Sequence, residues 1–234
     1  MEIPLVDITR SISPVKEEIL TRVSKVIDKG KFILGEEVEE LERNITDYCG
    51  TPYAIGVSSG TDALLVSLMA LDVGAGDIVI TTPYSFFATA GVIARLKAIP
   101  VFVDIDPDTY NIVPHKIQEW LSNNQDKTQK VKAILPVHLF GQCADMDEIL
   151  DISQEYQIPV IEDAAQAIGA EYPSKQGVKK AGSMGLAGCF SFFPTKNLGG
   201  AGDGGMVITS NKELAVRIRS LRIHGAKERY IHRE

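Results

Sequence analysis

Helix-like and strand-like segments alternate along almost the whole chain. "SPVKEEILTRVSKVIDKG" (13–30) opens with a Ser N-cap and a Pro at the first helical position, and stops at a Gly. "EEVEELERNITDYCG" reads as a second helix. The short apolar run "AIGVSS" leads into "GTDALLVSLMALDVG", apolar at helical spacing and ended by Gly74. "DIVITTP", "IPVFVDID", "VKAILPVH", "IPVIED", "GCFSFF" and "GMVITS" are apolar strand-like runs. "FFATAGVIARLKA", "PHKIQEWLSNN" and "ADMDEILDISQEYQ" separate the earlier ones as helices, and "NKELAVRIRSLRIHG" follows as a closing helix. Apolar, β-branched strands set between helices predict an α/β fold: a mostly parallel sheet with helices on both faces. We expect one large domain over residues 1–234, with an N-terminal helical segment over about residues 1–50. "SNNQDKTQK" is the most linker-like stretch and is short enough for a surface loop. "AKERYIHRE", after the last helix, offers no closing element, as in a piece of a longer protein.

Composition narrows the function. Of 234 residues, 44% are hydrophobic, enough for a large core. The 31 acidic against 24 basic residues give a net charge of −7, which argues against a nucleic-acid backbone as partner. The basic stretch after Asn211 reads as a solvated helix face. Cys49, Cys143 and Cys189 are isolated, and the four histidines lack metal-ligand spacing, so neither a disulfide framework nor a metal site is expected. No apolar signal core begins the chain, and its longest apolar stretch is too short for a bilayer. The expected setting is a reducing cytoplasm, away from membranes.

In an open parallel sheet, ligands bind beyond the C-terminal ends of the strands. "SSGTDAL" stands at such a place. Gly60 lets the backbone approach a ligand, and Thr61 with the first free helix amides can hold an anion, although an ordinary capped helix start has the same pattern. It matches no nucleotide P-loop, and "GAGD" lacks the third glycine of a dinucleotide fingerprint. "VIEDAAQAIGA" ends a strand with Glu162 and Asp163 and adds Gln166 among small residues that leave room for a flat ligand. A carboxylate buried there needs a cationic partner, such as a protonated ring nitrogen. Tyr84, Phe86 and Phe87 follow another strand, where core packing is the default and stacking on a planar cofactor the alternative. His138 reads as a hydrogen-bonded structural residue.

"SFFPTKNLGGAGDGG" (191–205) sets one lysine, Lys196, between an aromatic strand and a glycine-rich loop. A lysine in a low-dielectric pocket loses its proton readily and becomes a nucleophile towards carbonyls. An anion cup, a buried carboxylate, a stacking aromatic and one lysine together suit pyridoxal 5'-phosphate.

These four stretches, "SFFPTKNLGGAGDGG", "VIEDAAQAIGA", "GVSSGTDAL" and "TPYSFFATA", closely resemble the nucleotide-sugar aminotransferases of the DegT/StrS type, fold-type I pyridoxal-phosphate enzymes. The likeness runs from "FILGEEVEELE" to "RIHGAKERYIH". It implies that Lys196 carries the cofactor as a Schiff base, that Asp163 pairs with its ring nitrogen and that Gln166 lies near its 3-oxygen. It further implies that Ser191, Gly60 and Thr61 hold the phosphate and that Phe86 stacks on the ring. The implied substrates are a nucleotide-linked 3-keto or 4-keto sugar and an amino donor, glutamate; the implied assembly is a homodimer. Family members continue into a small C-terminal domain, and through a Gly/Asn/Arg segment that reaches the neighbouring subunit's phosphate site; neither is in this sequence. A sugar dehydratase of the same fold is the nearest rival, but such enzymes replace the lysine with histidine. A regulatory protein on the same scaffold is the other.

Overall fold

The fold is taken from a computed structural model, which describes residues 6–228 and 231–232. In chain order the elements begin with α1 (Ile8–Ile12), a 3₁₀ turn (Ser13–Val15), α2 (Lys16–Lys29), α3 (Glu36–Cys49), β1 (Tyr53–Val57) and α4 (Gly60–Met69). There follow β2 (Ile78–Thr81), α5 (Phe87–Arg95), β3 (Ile99–Phe102), α6 (Pro114–Asn123), α7 (Gln125–Thr128) and β4 (Val131–Ile134). The remainder is a second 3₁₀ turn (Leu139–Gly141), α8 (Met146–Tyr156), β5 (Ile161–Asp163), β6 (Glu171–Ser174), β7 (Gly177–Lys180), β8 (Ala187–Ser191), β9 (Gly205–Thr209), α9 (Lys212–Arg222), β10 (Ala226–Glu228) and β11 (Ile231–His232).

The main strands form two runs, β1-β9-β8-β5 and β3-β2-β4. Parallel bridges Ile134–Val160 and Val137–Asp163 join them through β4 and β5. The pairings β2–β3, β2–β4 and β5–β8 are parallel; β9 alone runs against both its neighbours, β1 and β8. The reversal has a local cause. The connection from β8 to β9 contains no helix, and a parallel return needs a long crossover. The expected mostly parallel α/β sheet is what forms.

The period of two sorts side chains to two faces. Ile55, Val79, Ala133, Ile161 and Val207 face one side, where α4, α5 and α9 contribute Leu64, Leu68, Val92, Ile93 and Ile218. Ile78, Ile80 and Ile134 face the other and meet Ile117 and Leu121 of α6 and Ile149 of α8. Met206 and Ile208 meet Ile45 and Cys49 of α3 on that side of β9. Each fully buried Ile or Leu contributes about 1.5–3 kcal/mol.

Four local expectations are corrected. The N-terminal helix does not start at a Ser13 cap: α1 precedes it, capped by Asp7, whose Oδ1 accepts from Arg10 N–H, and Ser13 makes no side-chain cap. Gly30 does end α2, at φ 65°. The hairpin β6–β7 forms between "IPVIED" and "GCFSFF", where the apolar pattern predicts no strand. Tyr84, Phe86 and Phe87 are not core residues; Phe86 and Phe87 are 69% and 81% exposed. The last helix is closed on both sides. Leu214, Ala215 and Ile218 of α9 are buried, and Arg222 donates to Glu42 Oε1 of α3 (2.6 Å) and to the Gly56 carbonyl of β1. Beyond it β10 pairs with β11; Arg229, Tyr230, Arg233 and Glu234 lie outside the described residues.

Candidate functional site

Five strand ends converge on one pocket of about 410 Å³. The segments after β1, β2, β4, β5 and β8 all line it, and Gly60, Thr61, Phe86, Asp163, Gln166, Ser191 and Lys196 are all among the lining residues. A sheet whose parallel strands end together brings these distant stretches side by side.

After β1 the chain turns at once into α4. Ser59 caps the helix, its Oγ accepting from Asp62 N–H at 3.0 Å. The Gly60 and Thr61 amides keep no partner among the described residues, so the helix start is both capped and open to an anion. Gly60 is required by crowding: a Cβ there would lie 2.5 Å from Ser191 Cβ. The same crowding applies at Gly205, where a side chain would collide with the Ser59 carbonyl. Ser191, half-buried at the end of β8, therefore stands directly against the α4 start and accepts from Phe193 N–H at 3.3 Å.

β5 presents two adjacent carboxylates to opposite faces. Glu162, fully buried, points away from the pocket. Its oxygens accept from Gly182, Met184 and Gly185 N–H (2.5–2.7 Å) and bond His138 Nε2 at 2.7 Å. His138 Nδ1 accepts from Ala144 N–H, so Nε2 carries the proton and donates to Glu162. This is the structural histidine expected from the sequence, though its ring also lines the pocket. Asp163 faces the pocket and is 5% exposed. Its Oδ2 accepts from Thr89 Oγ1 (2.8 Å) and its Oδ1 from Ala165 N–H (3.2 Å). Burial pushes its carboxyl above the ordinary carboxylate range; the Thr89 and Ala165 bonds, then nearby His138 and Lys196, pull the other way.

Lys196 lies half-buried in the loop after β8, held by its N–H to the Phe193 carbonyl (2.8 Å). Its ammonium has no ion-pair partner within 4 Å among the described residues, while its charge is felt at Asp163. Gln166 is oriented by its neighbour: Oε1 accepts from Phe140 N–H at 3.2 Å, which leaves the amide NH₂ free to donate. Sequence reading missed Ser85, Thr89 and Asp203. Asp203 and Ser85 line the pocket, and Thr89 touches Asp163 from a helix 74 residues away. No group of three His, Cys, Asp or Glu among the described residues is arranged to hold a metal. No described helix is long and apolar enough to cross a membrane.

The model of the DegT/DnrJ/EryC1/StrS aminotransferase family matches residues 14–234. The "Pleiotropic regulatory protein" of Geobacillus stearothermophilus is 48% identical over 232 residues, 99% of this chain and 60% of that protein. The UDP-N-acetyl-3-dehydro-alpha-D-glucosamine 3-aminotransferase of Acidithiobacillus ferrooxidans is 45% identical over 230 residues, 98% of this chain and 60% of that protein. The crystal structure of a DegT DnrJ EryC1 StrS aminotransferase from Brucella abortus superposes with a TM-score of 0.93 at 35% identity, covering 99% of this chain and 61% of that one. The chain thus spans about 60% of the length of the curated relatives it matches.

Proposed function

The chain belongs to the DegT/DnrJ/EryC1/StrS aminotransferase family, and on that premise we propose that its pocket binds pyridoxal 5'-phosphate and supports amino transfer to a nucleotide-linked keto sugar. The observation that carries the reading is the meeting of Asp163 and Lys196 in one pocket at the open start of α4. The donor set fits the cofactor. A buried carboxylate with a raised proton affinity calls for a cation, an unpaired lysine for a carbonyl, and two free amides for a phosphate.

Gly60, Thr61 and Ser191 would hold the phosphate, Asp163 the ring nitrogen and Gln166 the ring's 3-oxygen, with Phe86 over the ring. When bound, the cofactor supplies an electron sink for the α-carbon of the amino donor. Asp163 would face the ring nitrogen and hold a proton on it. Lys196 would bind the cofactor's carbonyl carbon, and its free amine would serve as the base for the proton on the donor's α-carbon. The apolar walls from Leu64, Ala88 and Val137 exclude water from that proton. The donor in this reading is glutamate and the acceptor a UDP- or dTDP-linked 3-keto or 4-keto sugar. The 45% identical UDP-sugar 3-aminotransferase makes the UDP-linked 3-keto sugar the first to test. The setting is the cytoplasm, the product serves surface glycan or natural-product sugar synthesis, and the complete protein works as a homodimer with its small domain. We propose that residues 1–234 form the large domain.

A second reading rests on the 48% identical relative named a regulatory protein. In it the pocket senses rather than transforms. Incubating the cofactor-loaded protein with glutamate separates the two. Conversion of the cofactor to its amine form, lost in Lys196→Ala, supports amino transfer. A bound cofactor unchanged by any amino acid supports sensing.

A further inference from the structure

Asp163 is held by a hydroxyl that is itself held by another. Thr89 Oγ1 lies 2.8 Å from Asp163 Oδ2, and Ser85 Oγ lies 2.7 Å from Thr89 Oγ1. The direction of donation follows from counting protons. An ionised carboxylate only accepts, so the one Thr89 proton is committed to Asp163, and the short Ser85–Thr89 contact requires Ser85 to donate. A threonine in a helix ordinarily turns its hydroxyl back to a carbonyl of its own preceding turn. Thr89, in the first turn of α5 and 1% exposed, reaches instead to a different strand. Ser85 is half-buried and lines the pocket, so the pair runs from the pocket wall to the buried carboxylate.

We infer that Thr89 and Ser85 are positioning residues for the proposed amino transfer: an ordered pair of hydroxyls that fixes the plane of the Asp163 carboxylate and keeps it charged towards the pocket. The inference rests on the proposed function for its purpose, but its geometry stands without it. With Thr89 on one oxygen and Ala165 N–H on the other, rotation of the carboxylate is blocked, and each oxygen keeps acceptor capacity for a ligand. The other titratable groups around Asp163 come from separate elements. His138 follows β4 with its Nδ1 accepting from Ala144 N–H, Lys196 follows β8, Cys189 lies on β8, and Glu162 points to the opposite face. None is altered by changing Thr89 or Ser85.

The test titrates Asp163 in the cofactor-free protein by NMR of ¹³C-labelled aspartate carboxyls, assigned with Asp163→Asn. Thr89→Val keeps the shape and removes the donor, and is expected to raise the proton affinity of Asp163 about tenfold. Thr89→Ser restores the original midpoint, and Ser85→Ala gives a smaller rise in the same direction. In the loaded protein, Thr89→Val slows the glutamate half-reaction about tenfold at neutral pH and moves its acid limb upward, with glutamate affinity little changed. An Asp163 midpoint unmoved in Thr89→Val overturns the inference. Should that variant not fold, an unmoved midpoint in Ser85→Ala does so. A shifted midpoint in a protein that captures no cofactor at Lys196 supports the hydroxyl pair and removes the proposed function. Captured cofactor with an unshifted midpoint does the reverse.

Discussion

Asp163→Asn should make the cofactor-free protein more stable while removing its chemistry. The wild-type carboxylate is 5% exposed and has two hydrogen-bond donors but, among the described residues, no cation in contact. Dehydrating such a charge costs several kcal/mol, and hydrogen bonds to a charged group return about 1.5–3 kcal/mol each. Burial outweighs these bonds, so a net penalty remains, on the order of 1–2 kcal/mol. An asparagine fits the same donors, because its Oδ1 can accept from Ala165 N–H while its NH₂ donates to Thr89, whose hydroxyl then turns to Ser85. For a chain of this size the gain corresponds to roughly 2–8 °C in Tm. The pH dependence carries the sign. The folded carboxyl binds its proton more tightly than the unfolded one. Wild-type stability is therefore undiminished below the unfolded value, about 3.9, and falls as pH rises through the higher folded value. Above that the whole penalty is present. Thermal unfolding of both proteins at neutral pH and near pH 4 measures this. An Asn variant less stable at neutral pH, or an advantage that does not shrink on acidification, refutes the reasoning. In the loaded protein the same variant should keep most cofactor affinity, since the phosphate contacts remain, and lose most turnover.

Gly60→Ala should cost about 1–3 kcal/mol and weaken phosphate binding together, because the new methyl would meet Ser191 Cβ at 2.5 Å; equal inorganic phosphate affinity by calorimetry counts against it. Glu42→Ala should lower stability by about 2 kcal/mol, the pair being buried on most sides. It frees Gly56 N–H and Arg222, whose Nε is already buried without a partner, and denaturant unfolding reads the loss. Glu162→Gln should cost roughly 3 kcal/mol, since one amide oxygen cannot accept from three backbone N–H groups and His138; hydrogen exchange at Gly182, Met184 and Gly185 should quicken.

The parts of the fold that depend on burial are legible in the chain. Runs such as "DIVIT" and "GMVIT" are apolar on both faces of the pleat, and they become β2 and β9, buried throughout. The hairpin β6–β7 escapes the same reading because "EYPSKQGVKK" has little apolar surface and folds at the edge, its residues exposed or half-buried. The aromatic run after β2 misleads for the opposite reason: Phe86 and Phe87 are apolar yet exposed. At the site, Lys196 and Asp163 stand out because a lone lysine before glycines and a strand-end carboxylate are unusual placements. Choosing Asp163 over Glu162 needs the face of β5 that turns to the pocket. Thr89 and Ser85 could not be read, since a small hydroxyl in a helix or in the loop before it carries no signal until its partner in the fold is known.

The central claim is that Lys196 is the group that captures the cofactor's carbonyl. Its most direct measurement is borohydride reduction of the pyridoxal-phosphate-loaded protein, followed by proteolysis and mass mapping of the modified lysine. The account predicts the label on the peptide containing "FFPTKNLGG", at Lys196, and none in Lys196→Ala. A label on any other lysine of the chain, or an equal yield from Lys196→Ala, contradicts it.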